Sequence, residues 1–249
     1  MTVISPASMP GPDRIRPTLR GDLRRAAPDA VVALVLAGLV YAIQVARVRA
    51  GADPALQEMP AMMRSGGIWP YSLSQAVGWA ALLWSWLTIL LGVSLPIWGR
   101  QGRGKLRESV ERLHRSTSLT VVGLMVAHAV LLTGDKMGDS LVTVFVPWTT
   151  SYGPGLFPQA LGIFSFYLAV LAGLSFYLRD RIGLRGWQLL HRYVVPAVYI
   201  LAVWHTFLYG SDVHARNVMW SLLWLLQLPI VAAFCIRLSG TRRRRSDRQ

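Results

Sequence analysis

Six apolar runs divide the chain, at positions 30–46, 76–97, 117–133, 157–178, 193–209 and 218–236, and none of them contains Asp, Glu, Lys or Arg. Each is long enough, or nearly so, to cross a hydrocarbon core of ~30 Å at ~1.5 Å per residue. Lipid offers the backbone no hydrogen-bond partners, so runs of this kind fold as helices that satisfy their own N–H and C=O groups. The pattern predicts an all-α integral membrane protein, a bundle of six transmembrane helices. It divides the chain into a basic segment at 1–29, a membrane domain at 30–238 and an Arg-rich tail at 239–249.

The first run has a basic lead, "LRRAAPDAVVALVLAGLVYA", followed by a short apolar core, a layout shared with secretory and twin-arginine signals. The arginine pair lacks the usual downstream motif and no clean small-residue cleavage site follows, so the expectation is a retained helix. Of the 26 Lys and Arg, 21 fall in the N-terminal segment, the loops after the second and fourth runs, and the tail from Arg237. By the positive-inside rule these segments, and with them both termini, are cytoplasmic. The expected location is a bacterial plasma (inner) membrane, crossed several times.

Composition agrees with the pattern: 53% of residues are hydrophobic, ten are Trp, and mean hydropathy is +0.40. The net charge of +14 would suggest nucleic acid on a soluble chain. Here the basic residues lie between apolar runs, so their partner is membrane lipid and no nucleic acid is expected. Cys235 is the only cysteine, which excludes intramolecular disulfides, CxxC redox motifs and thiolate-held iron–sulfur clusters. The long outer loops, rich in Pro, Gly and aromatics, include Trp148, Tyr152 and Phe157, residue types suited to an interface.

Four of the five histidines occur as two matched pairs. "RLHRSTSLTVVGLMVAHAVLL" carries His114 and His128, and "LLHRYVVPAVYILAVWHTFLY" carries His191 and His205, fourteen residues apart in both cases. Fourteen residues of α-helix rise ~21 Å and turn to within about 40° of four full turns, so both rings of a helix face the same way at two depths. Spans three and five run in the same direction. His114 is therefore level with His191, and His128 with His205. Two helices offering imidazoles at two matched depths suit axial ligation of two flat metallo-macrocycles, and b-type haem is the natural occupant. A zinc site would want a third or fourth ligand at the same depth, which the spans do not provide. The plainer reading is that these histidines only hydrogen-bond neighbouring helices.

The flanking residues extend both readings. Arg115 and Arg192, next to the cytoplasmic histidines, are candidates to pair with haem propionates, or are simply positive-inside residues. Gly123 would admit a ring edge or serve helix packing, and Pro196 is expected to kink its helix. Trp187, Trp204 and Phe207 read as packing or belt residues, and His214 as solvent-exposed. Without carboxylates in the runs, a proton pump or ion-coupled transporter is not favoured.

With "LHR" plus a second His on span three and "W..LHR" plus a second His on span five, the chain resembles the ferric reductase-like transmembrane domain family over about residues 75 to 238. That family includes NADPH oxidases, ferric reductases and the haem subunit of the bacterial periplasmic methionine sulfoxide reductase system. The resemblance implies that His114 and His191 ligate an inner haem, that His128 and His205 ligate an outer haem, and that electrons pass singly from a cytosolic donor to an acceptor on the far face. No Gly-rich dinucleotide fingerprint occurs, and the flavin and nicotinamide domain that follows the last span in the oxidases and reductases is not found here. The electron source is then a separate flavoprotein, which alone would carry flavin, or a membrane quinol. The acceptor is ferric iron, oxygen or an outer-face oxidoreductase. The alternative is a non-redox scaffold or small-solute carrier with structural histidines.

Overall fold

The computed structural model describes residues 17–58, 68–98, 104–134, 140–150, 155–214 and 218–246, with the side chains of 57, 58, 68, 97, 98, 214 and 237–246 excepted. His214's side chain, Tyr152 and the Arg-rich side chains of the tail thus lie outside the description. Every described element is helical: α1 Leu19–Arg49, α2 Ala55–Glu58, α3 Ile68–Trp98, α4 Gly104–Leu132, α5 Leu141–Phe145, α6 Leu156–Ser175, α7 Arg179–Ile182, α8 Leu184–Tyr209, α9 Ser211–His214, α10 Val218–Leu225 and α11 Gln227–Ser246.

Among the described residues, five stretches are long and apolar enough to cross a membrane: Leu19–Arg49, Trp69–Pro96, Gly104–Leu132, Leu156–Ser175 and Val218–Ile236. The chain is a multi-pass membrane protein. α8, expected as the fifth of six spans, is not in this set although its 26 residues give it the length. Its two histidines, with Arg185, Arg192, Trp187 and Gln188, dilute the apolar content of the helix. The residues that make α8 chemically interesting are thus the ones that weaken its signature as a span.

Small residues set how the helices meet. Ala33 and Ala37 of α1, Val77, Ala80, Ala81 and Trp84 of α3, and Val121 and Leu124 of α4 form one buried cluster. Alanines here let the three backbones approach, which is how apolar helices gain contact where lipid removes the hydrophobic driving force. Leu82, Tyr199, Val213 and Leu223 form a second cluster that joins α3 to α8, α9 and α10, covered by Trp79, Trp86, Phe207 and Trp220. Phe207 stacks on Trp224 at 4.9 Å, and Trp204 meets Phe157 edge-on at 5.7 Å, so both act as packing residues. Pro196 lies inside the continuous α8.

The last span is interrupted at Leu226. Pro229, in the first turn of α11, has no N–H to return to the carbonyl of Leu225, so the ladder opens there. The Leu226 carbonyl accepts a 2.6 Å bond from the Trp86 indole of α3, which pins the break to the bundle.

Two buried ion pairs tie the ends of the bundle. At one end Asp22 of α1 accepts from Arg115 Nε at 3.0 Å and from the Tyr177 hydroxyl at 3.0 Å. Asp22 is 3% exposed, and its partner's side chain 12%. At the other end Asp212 meets Arg47 at 2.8 Å and accepts from Gln44 and from the Trp79 indole, both at 3.3 Å. Removing one member of a buried pair strands the other charge, at a cost of ~3–5 kcal/mol. Asp22→Ala leaves Arg115 its bond to Glu111 and so should lower the unfolding free energy by less than that, about 1–3 kcal/mol, and loosen α1 from α4. Thermal unfolding in detergent checks this against Asp180→Ala, a substitution at an exposed helix position, which should have little effect.

Candidate functional site

α4 carries His114 and His128, and α8 carries His191 and His205. α4 rests on α3, and α8 rests on α6, while α4 and α8 are not among the pairs in extensive backbone contact among the described residues. Their histidines meet across the space left between them. His114 pairs with His191 at 6.1 Å between ring centroids and an interplanar angle of 82°. His128 pairs with His205 at 6.4 Å and 80°. The fourteen-residue spacing thus brings together the pairs expected from depth, 114 with 191 and 128 with 205.

The ring separations have a chemical meaning. With a metal–imidazole bond of about 2.0–2.1 Å, and about 1.15 Å from that nitrogen to the ring centre, two imidazoles on opposite sides of one metal ion have centroids about 6.3–6.5 Å apart. Both observed values fall within a few tenths of an ångström of this interval.

Three of the rings are also fixed in the tautomer that ligation needs. His114 Nδ1 lies 2.9 Å from the Thr88 carbonyl, His128 Nδ1 2.8 Å from the Ser74 carbonyl, and His205 Nδ1 2.7 Å from the Pro158 carbonyl. A carbonyl oxygen can only accept, so each Nδ1 carries the proton and donates it. Each Nε2 is left with its lone pair. An N–H held by a backbone carbonyl is the usual support of a metal-bound histidine, because it fixes the ring and raises the basicity of the ligating nitrogen.

A glycine makes each of these contacts possible. Gly78, Gly92 and Gly162 stand four residues after Ser74, Thr88 and Pro158, where a helical carbonyl is ordinarily flanked by the next turn's side chain. A Cβ at Gly78 would lie 3.0 Å from His128 Nδ1, one at Gly92 3.0 Å from His114 Cε1, and one at Gly162 2.9 Å from His205 Nδ1. The missing side chains open the carbonyls to a second donor and seat the rings against the helix. Gly78 and Gly92 are themselves fourteen residues apart on α3, antiparallel to the 114/128 spacing on α4. Sequence reasoning singled out neither these glycines nor these carbonyls. The repeated fourteen is the sequence signal that could have found them.

The fourth position departs from the pattern. Fourteen residues beyond Gly162 stands Phe176, and His191 is instead stacked on Trp187 at 5.3 Å and 29°. Phe176 supports Trp187 at 5.9 Å. Trp187 is therefore part of the inner histidine environment.

Gly123, expected to admit a ring edge or to serve helix packing, is exposed, and a Cβ there would meet nothing within 4 Å. It lies on the outer face of α4, away from the histidines. Arg115, expected on a propionate, has Nε and one terminal nitrogen engaged by Asp22 and by Glu111 at 3.1 Å. Arg192 is exposed.

Around His128 and His205 a cavity opens between α3, α6 and α8. Its wall is apolar apart from neutral groups such as Tyr71, Gln75, Gln159 and Tyr209, and no Asp, Glu, Lys or Arg lines it. Such a chamber suits a flat, mostly hydrophobic group. Among the described residues there is no cluster of three or more His, Cys, Asp or Glu able to hold a metal ion. Two imidazoles per level would suit a metal whose other positions are filled by a macrocycle, and not a protein-only tetrahedral site.

Compared with known proteins, the chain matches no family model, no curated protein and no solved structure.

Proposed function

We propose that this chain is a transmembrane electron conduit holding two b-type haems, one between His114 and His191 and one between His128 and His205. The observation that carries this reading is the pair of histidine couples at 6.1 and 6.4 Å, with three of the four Nδ1 protons committed to backbone carbonyls. Bound haem supplies a one-electron couple at each level. The residues of the chain hold and orient it: Ser74, Thr88 and Pro158 fix the imidazoles, Gly78, Gly92 and Gly162 make room for them, and the apolar wall excludes water. His114 with His191, and His128 with His205, would hold the group at each level, and a haem held by two histidines would supply outer-sphere one-electron transfer in place of oxygen binding at iron.

In this reading α8 is a sixth crossing, both termini are cytoplasmic, and the chain belongs to the ferric reductase-like transmembrane domain family. A separate flavoprotein or a membrane quinol supplies electrons from the cytoplasmic side of a bacterial plasma membrane. Ferric iron, oxygen or a partner oxidoreductase takes them on the outer face.

Vesicles test the directionality. With the purified protein reconstituted over trapped ascorbate and an impermeant mediator, external ferricyanide should be reduced many times faster than by protein-free vesicles, and His191→Ala should abolish the difference. Equal rates with and without protein would contradict transmembrane electron transfer.

A further inference from the structure

The indole N–H of Trp187 is buried and has no hydrogen-bond partner in the protein. A buried donor left unpaired costs about 1–3 kcal/mol, so such a group calls for an explanation. Trp187 sits one helical turn before His191, on the side of the inner pair where the chain carries its Arg residues, and its ring is stacked on the imidazole. One of the two basic groups expected to meet an acidic edge is engaged elsewhere. Arg115 is drawn to Asp22 and Glu111, and Arg192 is exposed.

From this we infer that Trp187 Nε1–H is the protein's hydrogen-bond donor to the carboxylate edge of the group held between His114 and His191. The inference rests on the two-haem reading and deepens it by reassigning propionate recognition from an arginine to a neutral indole. A neutral donor has a distinct consequence. It binds a carboxylate without adding a full positive charge beside the inner iron, while the Arg115 guanidinium is offset by Asp22.

Phe and His at position 187 separate the N–H from the ring. Trp187→Phe keeps an aromatic stack and removes the donor, whereas Trp187→His restores a ring N–H. Haem per chain is counted first, and redox titration then resolves the two midpoint potentials. With the donor gone, more negative charge stays near the inner iron and the ferric state gains. The inner potential of Trp187→Phe should fall by roughly tenfold in its reduction constant, about 59 mV for one electron, with the outer potential unmoved and Trp187→His close to the parent. Loss of the inner haem in Trp187→Phe but not in Trp187→His would support the same role. Unchanged potentials with both haems retained, or equal loss of haem in both variants, would overturn it. A parent protein that binds no haem would overturn the two-haem reading itself, and its lack of colour tells that failure apart.

Discussion

Replacing His128 with Ala should reduce the haem content from about two per chain to about one, leaving a low-spin b-type spectrum from the inner site alone. The expectation follows from the segregation of the site into two levels. His128 faces His205 and takes its support from Ser74, while His114 and His191 lie four turns away with their own contacts at Thr88 and Trp187. Losing one axial ligand therefore leaves the other level intact. If the histidines served only to join helices, the same substitution would remove one hydrogen bond, worth ~1 kcal/mol, and change no chromophore. Haem quantified per chain, together with the optical spectrum of the purified variant, distinguishes these outcomes. His191→Ala should give the converse, with the outer haem retained.

Gly162→Ala should damage the outer site nearly as much, although it touches no ligand atom in the parent. The new methyl carbon would lie 2.9, 3.0 and 3.2 Å from Nδ1, Cε1 and Cγ of His205. The ring has to move away from α6, and in moving it gives up the 2.7 Å bond to the Pro158 carbonyl that holds its tautomer. Overpacking of this kind costs ~1–3 kcal/mol. Loss of the hydrogen bond that supports a ligating imidazole typically adds about a 10–100-fold loss in affinity at a metal site. The outer haem should thus dissociate at lower temperature, or be substoichiometric on purification, with the inner haem retained. Gly123→Ala is the control. It faces open space, and its haem content should match the parent. Equal behaviour of the two variants would show that the glycine seat has no part in haem retention.

Much of this site was legible in the sequence because membrane helices keep a strict period. Apolar runs without charge gave five of the long helices, and the fourteen-residue interval gave the pairing of His114 with His191 and His128 with His205. What the interval could not give was the layer behind each ligand. Ser74, Thr88 and Pro158 act through backbone carbonyls, which have no residue signature, and Gly78, Gly92 and Gly162 act through atoms they lack. Gly123 left two readings open in sequence, a ring edge or helix packing, and its position on the helical wheel turns it outward, away from both. Arg115 misled for a different reason. Its neighbour His114 is adjacent in sequence, but its partner Asp22 arrives from α1, far along the chain, and a buried guanidinium is held by the carboxylate that reaches it. The inner end of α8 escaped for a third reason, since Trp187 reads as a belt residue until its stack on His191 is seen.

The central claim is that each histidine couple brackets one haem iron, and a dithionite-minus-oxidised optical spectrum with haem counted per chain tests it most directly. On detergent-purified protein made with ample haem, the account predicts sharp low-spin b-type bands and about two haems per chain. The ferric protein should also show the highly anisotropic low-spin resonance expected when axial imidazole planes are nearly perpendicular, as they are here at 82° and 80°. A colourless protein from the same preparation would contradict the account, and would leave the four histidines as polar contacts between helices.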